Sequence, residues 1–121
     1  MKKAEIVAKI NEFIPVKEKQ IVEKSIDVNG LSFVNLRDRL IGLGKILEEN
    51  LDNNYYVVNI AAGFANKNAA VILIIWSAEK LSLFAYSKEG LINQHTADKA
   101  IEKVIIELFR KNAKLTPKMC R

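Results

Sequence analysis

The sequence predicts an α+β fold: a central antiparallel sheet of three to four strands with three amphipathic helices, in the order α-(ββ)-α-β-β-β-α. Two observations carry this. Three strand-sized apolar runs, Tyr55 to Phe64, Ala69 to Trp76 and Leu81 to Tyr86, follow one another with loops short enough for antiparallel hairpins. Segments with the 3.6-residue periodicity of amphipathic helices lie on either side of them. The 121 residues are 50% hydrophobic and 27% charged. A chain of this size buries roughly two-thirds of its unfolded surface, so one domain forms without metal or disulfide staples. Residues 1–112 are expected to be that domain and residues 113–121 a flexible basic C-terminal tail, because the periodicity fails from Ala113 and Pro117 forbids helix.

The first helix is expected over 2–14, where Ile6, Val7, Ile10, Phe13 and Ile14 form one stripe before Pro15. Between residues 16 and 34 the Asn29-Gly30 pair suits a tight turn, so a short hairpin of Ser25 to Val28 with Leu31 to Val34 is expected. A second helix is expected over 36–51, capped by Asn35, with Leu36, Leu40, Leu43, Leu47 and Leu51 on one side. Gly42 and Gly44 fall inside that pattern, and close approach of another backbone, or a bend, is the expected reason. Asp52-Asn53-Asn54 ends it, and the three strands follow. The middle run, Ala69 to Trp76, has no polar position and should be an internal strand covered on both faces. The last helix is expected over 97–112, capped by Thr96, with Ala97, Ile101, Val104, Ile105, Leu108 and Phe109 on its apolar face.

The formal net charge of +5 invites a nucleic-acid reading, so its placement matters. It is terminal. Lys2 and Lys3 sit at one end, and Arg110, Lys111, Lys114, Lys118 and Arg121 at the other, leaving 12 basic against 14 acidic residues between them. Fifteen of the 19 basic residues are lysine, whereas bidentate recognition of phosphate or guanine favours arginine. The sequence contains no apolar run of membrane-spanning length and no signal-peptide pattern, so a soluble cytoplasmic protein is expected.

Catalytic signatures are scarce. His95 is the only histidine, and the Gly-x-Ser-x-Gly elbow is missing; His95 is expected to be a turn residue ahead of the last helix. Gly42-Leu43-Gly44-Lys45 is similar to a fragment of a phosphate-binding loop. Arg39 stands where that motif has its first glycine and Ile46 where it needs Ser or Thr. Glu48, Glu49 and Asp52 lack calcium-loop spacing, and Cys120 has no second cysteine for a disulfide or metal site. No cofactor and no metal are expected.

From Leu36 to Asn112 the expected order, helix, three strands, helix, resembles that of the double-stranded RNA-binding domain. That family places a lysine cluster at the start of its last helix, where this chain has Thr96-Ala97-Asp98-Lys99. No family is assigned on that order.

Strand alternation puts Tyr55, Val57, Phe84 and Tyr86 on a second sheet face that needs a cover, either the N-terminal helix or a protein partner, including a second copy. The expected function is therefore a small non-enzymatic protein-binding domain: an inhibitor, an immunity-type neutraliser, an adaptor or a dimeric regulator. The alternative is nonspecific nucleic-acid binding through the basic termini, carried by Arg110, Lys111, Lys114, Lys118 and Arg121.

Overall fold

The computed structural model describes residues 2–17, 20–28, 31–62, 68–77, 80–88 and 95–111, with Arg110 and Lys111 described by backbone alone. Its elements are α1 (Lys3–Asn11), β1 (Val22–Asp27), α2 (Phe33–Ile41), β2 (Lys45–Asn50), β3 (Tyr55–Ala62), β4 (Asn68–Ser77), β5 (Lys80–Tyr86) and α3 (Thr96–Lys111). All five strands form one antiparallel sheet in the order β1-β5-β4-β3-β2. The fold class is α+β as expected, with two strands at the sheet edges that the sequence reading assigned differently.

β4 is the central strand, and Ala70 to Ile74 within it are almost fully buried. An unbroken run of apolar residues has this outcome because both faces of the strand are covered. One face carries Tyr56, Val58, Ile60, Ile72, Ile74 and Leu83, among others, under α2 and α3. The other carries Tyr55, Val57, Val71, Leu73 and Tyr86, packed with Ile6 and Ile10 of α1. The molecule is thus a sheet between one helix and two.

The hairpin expected from Ser25 to Val34 does not form. Val22–Asp27 pairs with β5, and Leu31 to Val34 is not a strand. The side chains of this second segment are claimed by the main core instead. Leu31 and Phe33 are buried, the Phe33 ring stacks on Tyr56 at 4.3 Å, and the Tyr56 hydroxyl donates to the Phe33 carbonyl at 2.7 Å. Trp76 Nε1 donates to the Leu31 carbonyl at 2.9 Å. Ser32, not Asn35, caps α2: its hydroxyl accepts from the Asn35 amide at 3.1 Å, so the helix begins earlier than expected. The Asn29-Gly30 turn lies outside the described residues.

The expected helix over 36–51 is likewise corrected. It ends at Ile41, and Lys45–Asn50 is the edge strand β2. The leucine spacing had merged two elements serving different cores. Leu36 and Leu40 are buried beneath α2, Leu47 packs with the cluster under α1, and Leu51 is exposed in the β2–β3 turn. A Cβ on Gly44 would run into the Asn59 carbonyl oxygen, so the close backbone approach is real, but it occurs where the chain turns into β2 and not within a helix.

The N-terminal helix is shorter than the expected 2–14. Asn11 ends it, and its side-chain oxygen accepts from the Val16 amide at 3.0 Å as the chain turns back. At the start of α3, His95 and not Thr96 holds the cap position: its carbonyl accepts from the Lys99 amide at 2.9 Å. Thr96 is buried inside the helix and its hydroxyl accepts from Asn68 at 3.3 Å. Residues 113–121, expected to be a tail, lie outside the described residues. No helix among the described residues is long and apolar enough to cross a membrane.

Candidate interaction surfaces

Of the residues expected to meet a partner, Tyr55, Val57 and Tyr86 are almost fully buried and Phe84 is half-buried. They do lie together on one sheet face, and α1 occupies that face. Nine helical residues extend about 13 Å, whereas five strands span about 19 Å between the outer two. A helix this short covers only part of the sheet. The exposed, as opposed to half-buried, residues on that face are polar or small, among them Glu23 and Ser25 on β1, Ala61 on β3 and Ala69 on β4.

A polar clasp fixes α1 at the β2 side. Lys9 Nζ donates to both carboxylate oxygens of Glu48, at 3.2 and 3.1 Å, and to Glu12 at 3.2 Å. The Tyr55 hydroxyl donates to Glu48 at 2.5 Å and accepts from Asn50 at 3.3 Å. Register makes this possible. The β2–β3 pairing slips between Ile46 and Glu48, so Leu47 and Glu48 both serve the α1 side, one by packing and one by charge. Hydrogen bonding by Tyr55, reinforced by Lys9, holds the Glu48 carboxyl below the usual carboxylate range despite its partial burial. Burial of the Lys9 ammonium pulls its pKa down, but the hydrogen bonds to Glu48, Tyr55 and Glu12 outweigh this and raise it.

Glu49, the next residue, faces the opposite layer and accepts from Arg37 of α2 at 3.0 Å. The neighbouring carboxylates Glu48 and Glu49 are therefore separated by the sheet and engaged by different cations. Among the described residues, no group of three or more His, Cys, Asp or Glu is placed to hold a metal ion. His95 is largely exposed, has φ 55°, and lies 3.6 Å from Asp98 in the first turn of α3. Of the basic residues expected to meet nucleic acid, Lys114, Lys118 and Arg121 lie outside the described residues, as do the side chains of Arg110 and Lys111.

The helical layer presents a surface the sequence reading did not single out. Val34 and Ile41, seven residues apart on α2, are 64% and 54% exposed, and Ile106 and Phe109, three apart on α3, are 56% and 39% exposed. Spacings of seven and three each put a pair on one side of its helix. Arg39 of α2 donates to the Leu108 carbonyl of α3 at 3.1 Å, which ties the two helices into one layer. The available signal was in α3, whose inner side is made by Ala97, Ala100, Ile101, Val104, Ile105 and Leu108, while Phe109, expected on that face, is 39% exposed. Ile106 and Phe109 are large apolar residues beyond that set.

No family model, curated protein or solved structure matches the chain at a significant level.

Proposed function

We propose that the chain is a non-enzymatic protein-binding domain, of the inhibitor, immunity, adaptor or dimeric-regulator kind, that meets its partner through the outer side of the α2–α3 layer. The observation that carries this reading is the exposure of Val34 and Ile41 on α2 and of Ile106 and Phe109 on α3, while both faces of the sheet already have helices over their apolar centres. Single exposed apolar residues are ordinary on any protein surface; two exposed pairs, each on one side of its own helix, go beyond that. Burying all four side chains in a contact supplies on the order of 5 kcal/mol of apolar transfer before the costs of association.

Sizing by light scattering, on the wild type and on Ile106→Glu and Phe109→Glu, tests this. A wild-type dimer that both variants dissolve into folded monomers identifies the partner as a second copy. With a monomeric wild type, the reading requires a heterologous protein whose binding the same two variants abolish. Catalytic turnover that survives extensive purification and disappears with a His95 substitution overturns the reading.

A further inference from the structure

The two edges of the sheet are treated differently. At β2 the ladder is interrupted by the slip between Ile46 and Glu48, Glu48 is held from one face by Lys9, and Glu49 is held from the other by Arg37. Interruption and cover of this kind keep an edge from recruiting another strand. β1 has neither. Its six residues run in unbroken register with β5, from Val22 opposite Ala85 to Asp27 opposite Lys80. Among the described residues no backbone group pairs with its outer edge, and none of its side chains is in a hydrogen bond or ion pair.

The side chains of β1 define what can add there. Val22 and Ile26 pack against the core on the α2–α3 side, with Lys24 exposed between them. Glu23, Ser25 and Asp27 are exposed on the α1 side. A second copy is a poor occupant. Antiparallel pairing about a twofold axis keeps each face on its own side, so only two such registers overlap five residues of β1. One sets Lys24 against its own copy and the other sets Glu23 against Asp27, and like charges directly opposite are destabilising.

We infer that β1 is a docking edge for an extended segment of a different protein, added antiparallel. That segment carries basic residues opposite Glu23 and Asp27, apolar residues beside Val22 and Ile26, and an acidic residue opposite Lys24. Main-chain hydrogen bonds supply affinity in such strand addition, and alternate side chains supply selectivity. Phe84 lies directly opposite Glu23 on β5 and is half-buried, so the carbon stem of the incoming basic residue has an aromatic surface near its path. The required order, basic, apolar, small polar, acidic, basic, apolar, is met in part by residues 114–119 of the chain itself, Lys-Leu-Thr-Pro-Lys-Met. There Pro117 falls opposite Lys24 in place of an acid and brings no N–H to the ladder, which makes a heterologous segment the better occupant. This inference deepens the protein-binding reading but uses a surface independent of the helical layer.

The test is an amide chemical-shift titration of the full chain with the capped peptide Lys-Val-Thr-Glu-Lys-Val and its charge-reversed form Glu-Val-Thr-Lys-Glu-Val. The expected result is saturable shifts centred on Val22 to Asp27 for the first peptide, and binding weaker by about tenfold for the second, for which three cross-strand pairs turn repulsive. The variant Glu23→Lys/Asp27→Lys should reverse the preference, since both residues are exposed and the fold does not depend on them. Ile106→Glu should leave peptide binding unchanged, so that failure on the helical layer is distinguishable from failure here. Shifts that avoid β1, equal response to both peptides, or no response overturn the inference. So does a chain that binds the first peptide only after residues 112–121 are removed, because its own C-terminal segment is then the occupant.

Discussion

Lys9 and Glu48, 39 residues apart in the chain, meet at 3.1 and 3.2 Å across the gap between α1 and the β2 edge. Their contact joins a helix that contributes Ile6 and Ile10 to a strand that contributes Leu47, so the charge pair and the apolar contact close the same seam. The side chains are 18% and 28% exposed, which places the pair between a solvated surface bridge and a buried one. A double-mutant cycle of Lys9→Met and Glu48→Gln should therefore give a coupling of about 1 kcal/mol in denaturant unfolding. Hydrogen exchange in Ile6 to Ile10 should accelerate in each single variant while exchange in β4 changes little. Equal acceleration throughout the sheet would show that α1 does not open separately.

The same clasp sets an acid limit on α1. Glu48 has its carboxyl pKa depressed in the folded state, so its contribution to stability is present above the unfolded carboxylate value and is lost as pH falls through the folded one. Lys9 is shifted up, and its contribution is complete below the ordinary lysine value, fading only in strong alkali. Acidification from neutrality to below pH ~4 should therefore weaken α1 docking through Glu48 and not through Lys9. Ring and hydroxyl resonances of Tyr55, which donates to Glu48, are the local reporter. In Glu48→Gln that acid-dependent change at Tyr55 should disappear.

Gly42 and Gly44 should respond oppositely to alanine. At Gly42 the backbone is right-handed helical and the nearest atom to an added Cβ is the Arg39 carbonyl oxygen, 3.7 Å away, an ordinary contact. Gly42→Ala should be neutral or stabilise by about 0.5 kcal/mol, because it restricts the unfolded chain. At Gly44 the Cβ meets the Asn59 carbonyl and presses on Ile60, so β2 must shift from β3; a loss of about 2 kcal/mol is expected. Thermal unfolding of the two variants side by side checks both signs.

These glycines also show why part of the fold was legible and part was not. β3, β4 and β5 could be read from sequence because each is a dense apolar run bounded by polar loops, and local pattern suffices for such strands. β1 and β2 are edges, each only partly buried, with charged residues that blur the alternation. Leu36, Leu40, Leu43, Leu47 and Leu51 keep helical spacing through a helix, a turn and a strand, so periodicity alone joins what Gly42 and Gly44 divide. The second sheet face was legible as an apolar face needing a cover. Its clasp was not, because Glu48 gains its role only through a strand slip and a partner 39 residues away.

Tyr56 ties the start of α2 to β3. Its hydroxyl donates to the Phe33 carbonyl at 2.7 Å in a fully buried setting, and burial pushes its pKa up to about 12. Tyr56→Phe keeps the ring stack but leaves that carbonyl without this donor, so a cost of about 1–2 kcal/mol is expected. A folded pKa above the unfolded one means that the wild type also loses stability as pH rises past ~10, where the unfolded phenol ionises first. Equilibrium unfolding at pH 7 and pH 10.5 should show the alkaline loss in the wild type shrinking in Tyr56→Phe.

The basic termini offer a final discrimination. α1 and α3 pack on opposite faces of the sheet, so Lys2 and Lys3, at the start of one, and Arg110 and Lys111, at the end of the other, belong to different layers. A nucleic acid lying along either layer would meet only one of these groups, and the arginine side chains among the described residues are already engaged, Arg37 by Glu49 and Arg39 by the Leu108 carbonyl. The protein-binding reading therefore expects no retardation of duplex DNA or RNA in about 50 mM salt, a condition that favours phosphate contacts. A shift that is present and steeply salt-dependent would support the alternative. Deleting residues 113–121 removes Lys114, Lys118 and Arg121, and if these three contact phosphate the slope of log K against log salt should fall by about 2.7 for duplex DNA. A slope unchanged by the deletion would place the contact elsewhere on the folded body.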